Sequence, residues 1–383
     1  MRTVYLTGGT GFLGSHFIRS HLLGGPYDVQ CFVRGATPEA CALRLHETLR
    51  AADASYPDRR LWGLDALTAI PSDITLPAFG LGEAFFADRA GRADATFFHF
   101  ASSLQYQEKD RRVIHDHNIG GLRHAVDVAA ALGCGVFYYV STAFTVGVHE
   151  GPVPEALHRN ARFNNYYEET KCQAEHLITE LCRERGISLV IVRPSIVVGP
   201  SSTHGTGGSR TGLYGFIREL HRLKRQLRHT SAPLSLYGST ESEMNLVPVD
   251  CVCHDIASLY REGVREGVYH CTAGQNVRVQ GLTELILKHL ELTSVTFRSF
   301  AEFDEAAASP IERVLLRDTA FYATSTAGTK VFERRRGPRW PMDLDEVERY
   351  VIEGVRAVEG AGALARQARV RRPAPGRGAR RTA

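Results

Sequence analysis

The stretch TVYLTGGTGFLGSHF, residues 3–17, narrows the choice of fold more than any other part of the chain. A short apolar run ends in glycines at Gly8, Gly11 and Gly14, and an amphipathic helical pattern follows at once. Each glycine has a mechanical reason: a tight turn, close backbone approach to a pyrophosphate, and close packing of helix on strand. The pyrophosphate would rest on the free N–H groups of the helix N-terminus, with Thr10, Phe12 and Leu13 as further cofactor-binding positions of the same turn. A glycine triplet by itself carries little weight. Here a strand precedes it, a helix follows, and YDVQCFVR supplies a second strand, so the segment predicts a dinucleotide-binding α/β domain.

The end of that second strand bears on which dinucleotide. A chain selecting NAD usually places an acid there to hold the ribose 2′-hydroxyl. This chain has Arg34 instead, and no acid from Val29 to Gly35. A guanidinium fork suits a 2′-phosphate and would gain nothing from a bare hydroxyl. Arg44, in the following helix ACALRLHETL, could approach the same phosphate. The expected cofactor is NADP(H).

Further strands alternate with helices. LTAIPSD ends a strand at Asp73, which could reach the adenine and, with Ile74, is counted as cofactor-binding. ATFFHFASS runs into small residues at Ala101 and Ser102, where bulky side chains would block a cofactor. GVFYYVSTAF is a buried strand ending in hydroxyls. SLVIVRPSIVVGP is another parallel-type strand, and its Pro194 and Ile196 complete the cofactor set. The alternation predicts a doubly wound, Rossmann-type parallel sheet with strand ends along one crevice. Expected boundaries are residues 1–200 for this domain, 201–360 for a smaller α/β substrate-binding lobe with some return to the sheet, and 361–383 for a tail. His99, inside an apolar strand, reads as a hydrogen-bonded core histidine.

The stretch NNYYEETK, residues 164–171, opens a helix. Tyr167 and Lys171 are four residues apart and share a face. Tyr166 is five from the lysine, about 140° round the axis at 3.6 residues per turn. Tyr167 is therefore the phenol able to work with Lys171, and Tyr166 is a packing residue or a wall of the substrate cleft.

TGGTGFLG, VSTAF, Tyr167-x-x-x-Lys171 and VRPSIVVGP, in that order, resemble the extended short-chain dehydrogenase/reductase superfamily over roughly residues 1–290. Within it, the arginine-bearing helix after the second strand, PSDITLPAFGLG and MNLVPVDCV are most similar to carrier-linked thioester reductases and fatty acyl-CoA reductases. The resemblance implies that Tyr167 is the acid/base and that Lys171 lowers its pKa and holds the nicotinamide ribose. It also implies that Thr142 is the hydroxyl which, with Tyr167, steadies the substrate oxygen. Ser141 would be a core or backbone-bonding hydroxyl. The implied activity is NADPH-dependent reduction of an acyl thioester, on coenzyme A or an acyl/peptidyl carrier protein, to an aldehyde or alcohol. The sequence has no adenylation or carrier domain, so the acyl group is expected on a separate carrier or on coenzyme A. The competing readings are an oxidoreductase, epimerase or dehydratase acting on a nucleotide sugar, sterol or other ketone, and a non-catalytic dinucleotide sensor.

Composition, 43% hydrophobic and 23% charged, is that of an ordinary globular protein, and no apolar run of eighteen residues suggests a membrane span. No signal peptide is read at the N-terminus. Eight cysteines in 383 residues show no disulfide or zinc spacing and are expected as buried hydrophobes of a cytoplasmic protein without a metal. Net charge is +4, and residues 361–383 hold seven arginines and no acid, which reads as a solvated, disordered tail rather than a nucleic-acid site. Before it, the helix in LYGFIRELHRLKRQLRH carries Arg218, Arg222, Lys224, Arg225 and Arg228 on one face. That face is either solvated or turned to an acidic carrier or the phosphates of coenzyme A. A homodimer is left open.

Overall fold

The computed structural model describes residues 2–370 apart from 59–60, 62, 90–94, 106–107, 161, 227–232 and 326–327. In the first half, β1 (Arg2–Thr7), α1 (Phe12–Phe17), β2 (Tyr27–Val33), α2 (Pro38–Asp53) and β3 (Leu67–Pro71) alternate. They are followed by α3 (Glu83–Ala87), β4 (Thr96–His99), α4 (Arg111–His115), α5 (Gly121–Ala131), β5 (Val136–Val140) and β6 (Gly151–Val153). Then come α6 (Tyr166–Glu184), β7 (Ser188–Pro194), β8 (Ile196–Val198), α7 (Leu213–Gln226), β9 (Leu234–Gly238), β10 (Glu243–Met244) and β11 (Leu246–Pro248). The chain closes with α8 (Val249–Arg261), β12 (Gly267–Cys271), β13 (Val277–Arg278), α9 (Val279–His289), β14 (Val295–Ser299), α10 (Pro310–Ser325), β15 (Lys330–Phe332) and α11 (Leu344–Val370).

Seven strands form one parallel sheet in the order β12-β7-β5-β4-β1-β2-β3. Such a sheet is covered on both faces, which is why β5, VFYYV, is buried at every position. Side chains alternate between the two covers. Val4 and Leu6 of β1 join α1, α2 and α8 in one core, while Tyr5 joins α5 and α6 in the other. The strand order reverses between β1 and β4, so the crevice outside their carboxyl ends is the switch point where ligands bind in sheets of this type.

Two readings of the sequence are corrected. SLVIVRPSIVVGP is not one strand: it divides at Ser195, whose hydroxyl donates to Asn245 Oδ1 at 2.6 Å, and β8 leaves the sheet to pair with β11. The anchor comes from fifty residues downstream, so periodicity could not reveal it. The helix α11 continues to Val370, into the stretch read as a disordered tail. Alanine, leucine, glutamine and arginine are all strong helix formers, and here that propensity extends the helix where the charge count suggested disorder. Residues 371–383 lie outside the described residues.

A second core, with Leu220, Ile286, Tyr350 and Val351 fully buried, gathers α7, α9, α11 and the parallel pair β9–β14 into a lobe over the crevice. Each such buried aliphatic side chain stabilises the fold by about 1.5–3 kcal/mol. The chain returns to the sheet through α8 and β12. No helix among the described residues is long and apolar enough to cross a membrane, and all eight cysteines are buried as free thiols.

Candidate active site

The strand ends deliver the site. After β1 the chain turns on Gly8, at φ +76°, and the N–H of Gly11 donates to Gly8 O at 2.9 Å. A Cβ on Gly14 would lie 2.3 Å from Gly8 O, and one on Gly8 would lie 2.6 Å from the amide nitrogen of Ala101. The turn is therefore bare backbone by steric necessity, the form of cradle a pyrophosphate fits. Gly8, Gly11, Phe12, Leu13 and Gly14 open onto a cavity of about 440 Å³. Ser102 after β4, Ser141 and Thr142 after β5, Pro194 at the end of β7, Ile196 at the start of β8, and Tyr167 and Lys171 on α6 line the same cavity. Thr10 and Ala101 do not line it; Ala101 instead abuts Gly8 through its backbone.

The remaining cofactor candidates stand at the ends of β2 and β3. Arg34 is exposed just past β2, and Arg44 Nη1 donates to its carbonyl at 2.8 Å, so the two cations are neighbours. Asp73 accepts from the Thr75 amide at 2.9 Å and from its hydroxyl at 2.7 Å. Burial would raise this carboxyl, but the Thr75 hydrogen bonds and the charges of Arg34 and His117 outweigh it and hold the group low. The Ile74 carbonyl pairs with His124 Nδ1 at 3.0 Å, and its side chain packs toward Gly121. These four residues are outside the cavity that holds Tyr167, one and two strands away from β1.

On α6, Asn165 caps the helix by accepting from the Glu168 amide, and the Glu168 carboxylate receives the Asn165 side-chain amide in return. This reciprocal cap sets the first turn, so that Tyr167 faces the cavity. Tyr166 turns outward, its ring under the Arg111 guanidinium at 4.2 Å. The Tyr167 hydroxyl has no protein partner among the described residues. Thr142 Oγ1 accepts from the Phe144 amide at 3.4 Å, which leaves its proton free to donate. Ser141 bonds through its amide to Val192 O at 2.8 Å, while its buried hydroxyl has no partner among the described residues.

Lys171 is 1% exposed, and its Nζ donates to Tyr139 Oη at 3.0 Å and to Val140 O at 2.8 Å. Burial pushes the ammonium down to about 7 against the opposing pull of Glu175. Glu175 is itself held by Arg193 at 2.8 and 2.5 Å, a buried pair behind the lysine. Burial, and then Glu168, push the Tyr167 phenol above its ordinary value, so the downward pull expected from Lys171 does not prevail. The phenol thus stays protonated at neutral pH and suits a proton donor. His99 is a core histidine: Nδ1 pairs with Thr7 Oγ1 at 2.9 Å, and burial, with Lys171 nearby, pushes it down to about 3.

Sequence reasoning missed Asn118, Tyr139 and the lobe wall. Asn118 is buried; its Oδ1 accepts from Ser102 Oγ at 3.0 Å and the Ser103 amide at 2.8 Å, and its Nδ2 donates to Thr170 Oγ1 at 3.4 Å. It ties the end of β4 to the helix of Tyr167. The one available signal was an amide side chain at the start of the helical run NIGGLRHAV. Opposite, Phe216, Leu236, Met244 and Phe297 form an apolar wall. The threonines there bond their own helices, Thr283 Oγ1 to Val279 O and Thr319 Oγ1 to Leu315 O.

With this geometry in place, comparison with known proteins is decisive at the level of family. The male sterility protein family model matches residues 6–256. The chain belongs to that family, a branch of the extended short-chain dehydrogenase/reductases, and is a nicotinamide-dependent oxidoreductase. It is 27% identical over 260 residues to the isonitrile lipopeptide synthase of Streptomyces coeruleorubidus, covering 67% of this chain and 16% of that protein. It is 28% identical over 273 residues to the L-2-aminoadipate reductase large subunit of Penicillium chrysogenum, covering 65% of this chain and 18% of that one. The chain thus spans less than a fifth of either relative. The crystal structure of the terminal R domain from the myxalamid PKS-NRPS biosynthetic pathway shares the fold, with a TM-score of 0.69 and 21% identity over 94% of this chain and 91% of that domain.

Proposed function

We propose that this oxidoreductase reduces an acyl thioester, presented on coenzyme A or a carrier protein, to an aldehyde or alcohol at the expense of NADPH. One observation carries the reading: Thr142, Tyr167 and Lys171 share a cavity with the glycine turn, and the facing wall presents Phe216, Leu236, Met244 and Phe297, with the Thr283 and Thr319 hydroxyls turned to their own helices. That wall offers an acyl chain contact and offers a sugar few partners. The names of the relatives, a lipopeptide synthase and an aminoadipate reductase, agree with acyl substrates.

The glycine turn would hold the pyrophosphate of NADPH, and the neighbouring Arg34 and Arg44 its 2′-phosphate. When bound, NADPH supplies the hydride that reduces the carbonyl carbon. Thr142 donates to the carbonyl oxygen from one side and Tyr167 from another, stabilising the negative charge that develops there. Tyr167 supplies its proton, and Lys171, held by Tyr139 and Val140 O, keeps a positive charge behind it. Collapse re-forms the carbonyl and expels the sulfur as a thiolate, which takes up the oxygen's proton; its conjugate acid has an ordinary pKa of about 8.5, so it leaves readily. Hydride, proton and thioester balance to aldehyde and thiol. A second round on the aldehyde would give the alcohol.

The test is NADPH consumption with a panel of acyl-coenzyme A esters, acyl carrier proteins and nucleotide sugars, with products identified by mass. Aldehyde or alcohol from a thioester is the expected result. Turnover of a nucleotide sugar alone would replace this reading with the epimerase-type one, and NADPH binding without turnover of anything would leave a sensor. Faster turnover with NADH than with NADPH would remove the role given to Arg34 and Arg44.

A further inference from the structure

The catalytic cavity is apolar in its lobe wall but cationic at its mouth. Arg210, in the loop before α7, and Arg218, on α7 itself, both line it. Arg210 is exposed, and the Arg218 side chain is 40% exposed, so both guanidiniums meet solvent where the cavity opens. Arg218 Nη1 donates to the Arg210 carbonyl at 3.0 Å, which fixes one arginine beside the other.

Their charges are not cancelled from within. The Arg210 guanidinium has no hydrogen bond or ion pair among the described residues. Arg218 Nε lies 3.7 Å from Glu219 Oε1, but the Glu219 carboxylate is bonded by Arg222 at 3.0 and 2.8 Å. Further along α7, Lys224 is bonded by Glu291 at 3.0 Å and by Glu359 at 3.5 Å. The broad basic face read from the sequence is therefore largely neutralised beyond Arg218; the Arg225 side chain and Arg228 lie outside the described residues. Glu168 is the only carboxylate among the described residues that line the cavity. Its oxygens receive the Asn164 amide and side chain and the Asn165 side chain.

A ligand matched to this cavity has an apolar reactive end and an anion at the other end of a neutral arm. Paired guanidinium forks suit phosphate oxygens, which accept two parallel N–H bonds from each. We propose that Arg210 and Arg218 clamp the phosphate ester of a pantetheine arm, with the thioester end reaching Thr142 and Tyr167. The proposal rests on the thioester reading and adds how the carrier is recognised. The phosphate is common to coenzyme A and to a carrier-protein serine ester, so the clamp itself is the shared chemistry.

The test compares one acyl group on pantetheine, phosphopantetheine, coenzyme A and a carrier protein, in wild type, Arg210→Ala/Arg218→Ala and Arg210→Lys/Arg218→Lys. In wild type, kcat/KM should be about 10- to 100-fold higher for acyl-phosphopantetheine than for acyl-pantetheine, as charge-assisted contacts allow. In the alanine double variant that ratio should fall toward one, and the lysine variant should recover part of it. A wild-type ratio near one, or a ratio unchanged in the alanine variant, overturns the clamp while leaving the reductase reading intact. Coenzyme A and carrier-protein esters should lose kcat/KM by about the same factor in the alanine variant, and the one turned over faster by wild type names the source; no loss on either overturns the clamp. Calorimetric titration of phosphopantetheine and pantetheine themselves keeps the test valid without turnover. Tighter binding of the phosphorylated arm to wild type, abolished in the variant, supports the clamp even if no thioester is reduced; equal binding overturns it. NADPH affinity measured in parallel confirms that the variants are folded.

Discussion

The two walls of the cavity are built on opposite principles. On the sheet side, strand ends and α6 present the close-packed turn at Gly8–Gly14 and polar groups with free capacity: the Ser141 and Tyr167 hydroxyls, the Thr142 proton and the Lys171 ammonium. On the lobe side, Phe216, Leu236, Met244 and Phe297 meet the cavity, and Thr283 and Thr319 are bonded to their own helices. The contrast separates duties. In the proposed reading, groups that act on a reacting carbonyl sit at the strand ends and on α6, and groups that choose its substituent sit on a lobe that packs around its own core.

This division can be broken first on the sheet side. Lys171→Met should lower kcat by about 10²–10⁴-fold on every thioester alike, the range for losing acid–base assistance. A loss confined to some acyl groups would show that the sheet wall also selects. Gly14→Ala should come next. The added Cβ, 2.3 Å from Gly8 O, forces the turn apart. A packing strain of about 1–3 kcal/mol would weaken NADPH binding by roughly 5- to 150-fold in a fluorescence titration. Unchanged affinity would remove the turn from the cofactor site.

The lobe side should respond differently. Phe297 lies directly on Gly238, where a Cβ would meet its ring at 2.5 Å, so the ring is fixed against β9. Phe297→Ala opens room beside the apolar wall. It should shift kcat/KM toward longer or branched acyl groups by about 10-fold, the scale of one or two methylenes in an apolar pocket. An equal loss on all acyl lengths would place Phe297 in folding alone.

The smallest effect sharpens the sheet side further. Lys171 carries its charge below about 7 and loses it as the pH rises through that value, so turnover that needs the ammonium should decline on the alkaline side. Tyr139→Phe removes one acceptor of that ammonium, which favours the neutral amine. The declining limb should move down by about one pH unit, the scale of one hydrogen bond to a charged group. A profile that keeps its midpoint would leave Tyr139 a packing residue.

The sheet side was legible in the sequence because its requirements are local. Glycine spacing, a hydroxyl pair at a strand end, and a tyrosine and lysine one helical turn apart are all short-range patterns that the fold then aligns at one switch point. The break at Ser195 and the pairing of β8 with β11 were not legible, since Asn245 supplies the anchor from far along the chain. Asn118 and Tyr139 act through partners on other elements, Thr170 and Lys171, and look like ordinary helix and strand residues in isolation. The lobe was least legible of all. Its strands β9 and β14 pair across residues 239–294, and apolar positions that face the cavity carry the same periodicity as those that face the core.

The central claim is that Tyr167 delivers the proton to a thioester carbonyl reduced by NADPH. Tyr167→Phe keeps the ring and removes only the hydroxyl that faces the cavity. Steady-state NADPH consumption on an acyl thioester should fall by about 10²–10⁴-fold in this variant, with NADPH affinity within about twofold of wild type. Wild-type turnover by the phenylalanine variant would contradict the account.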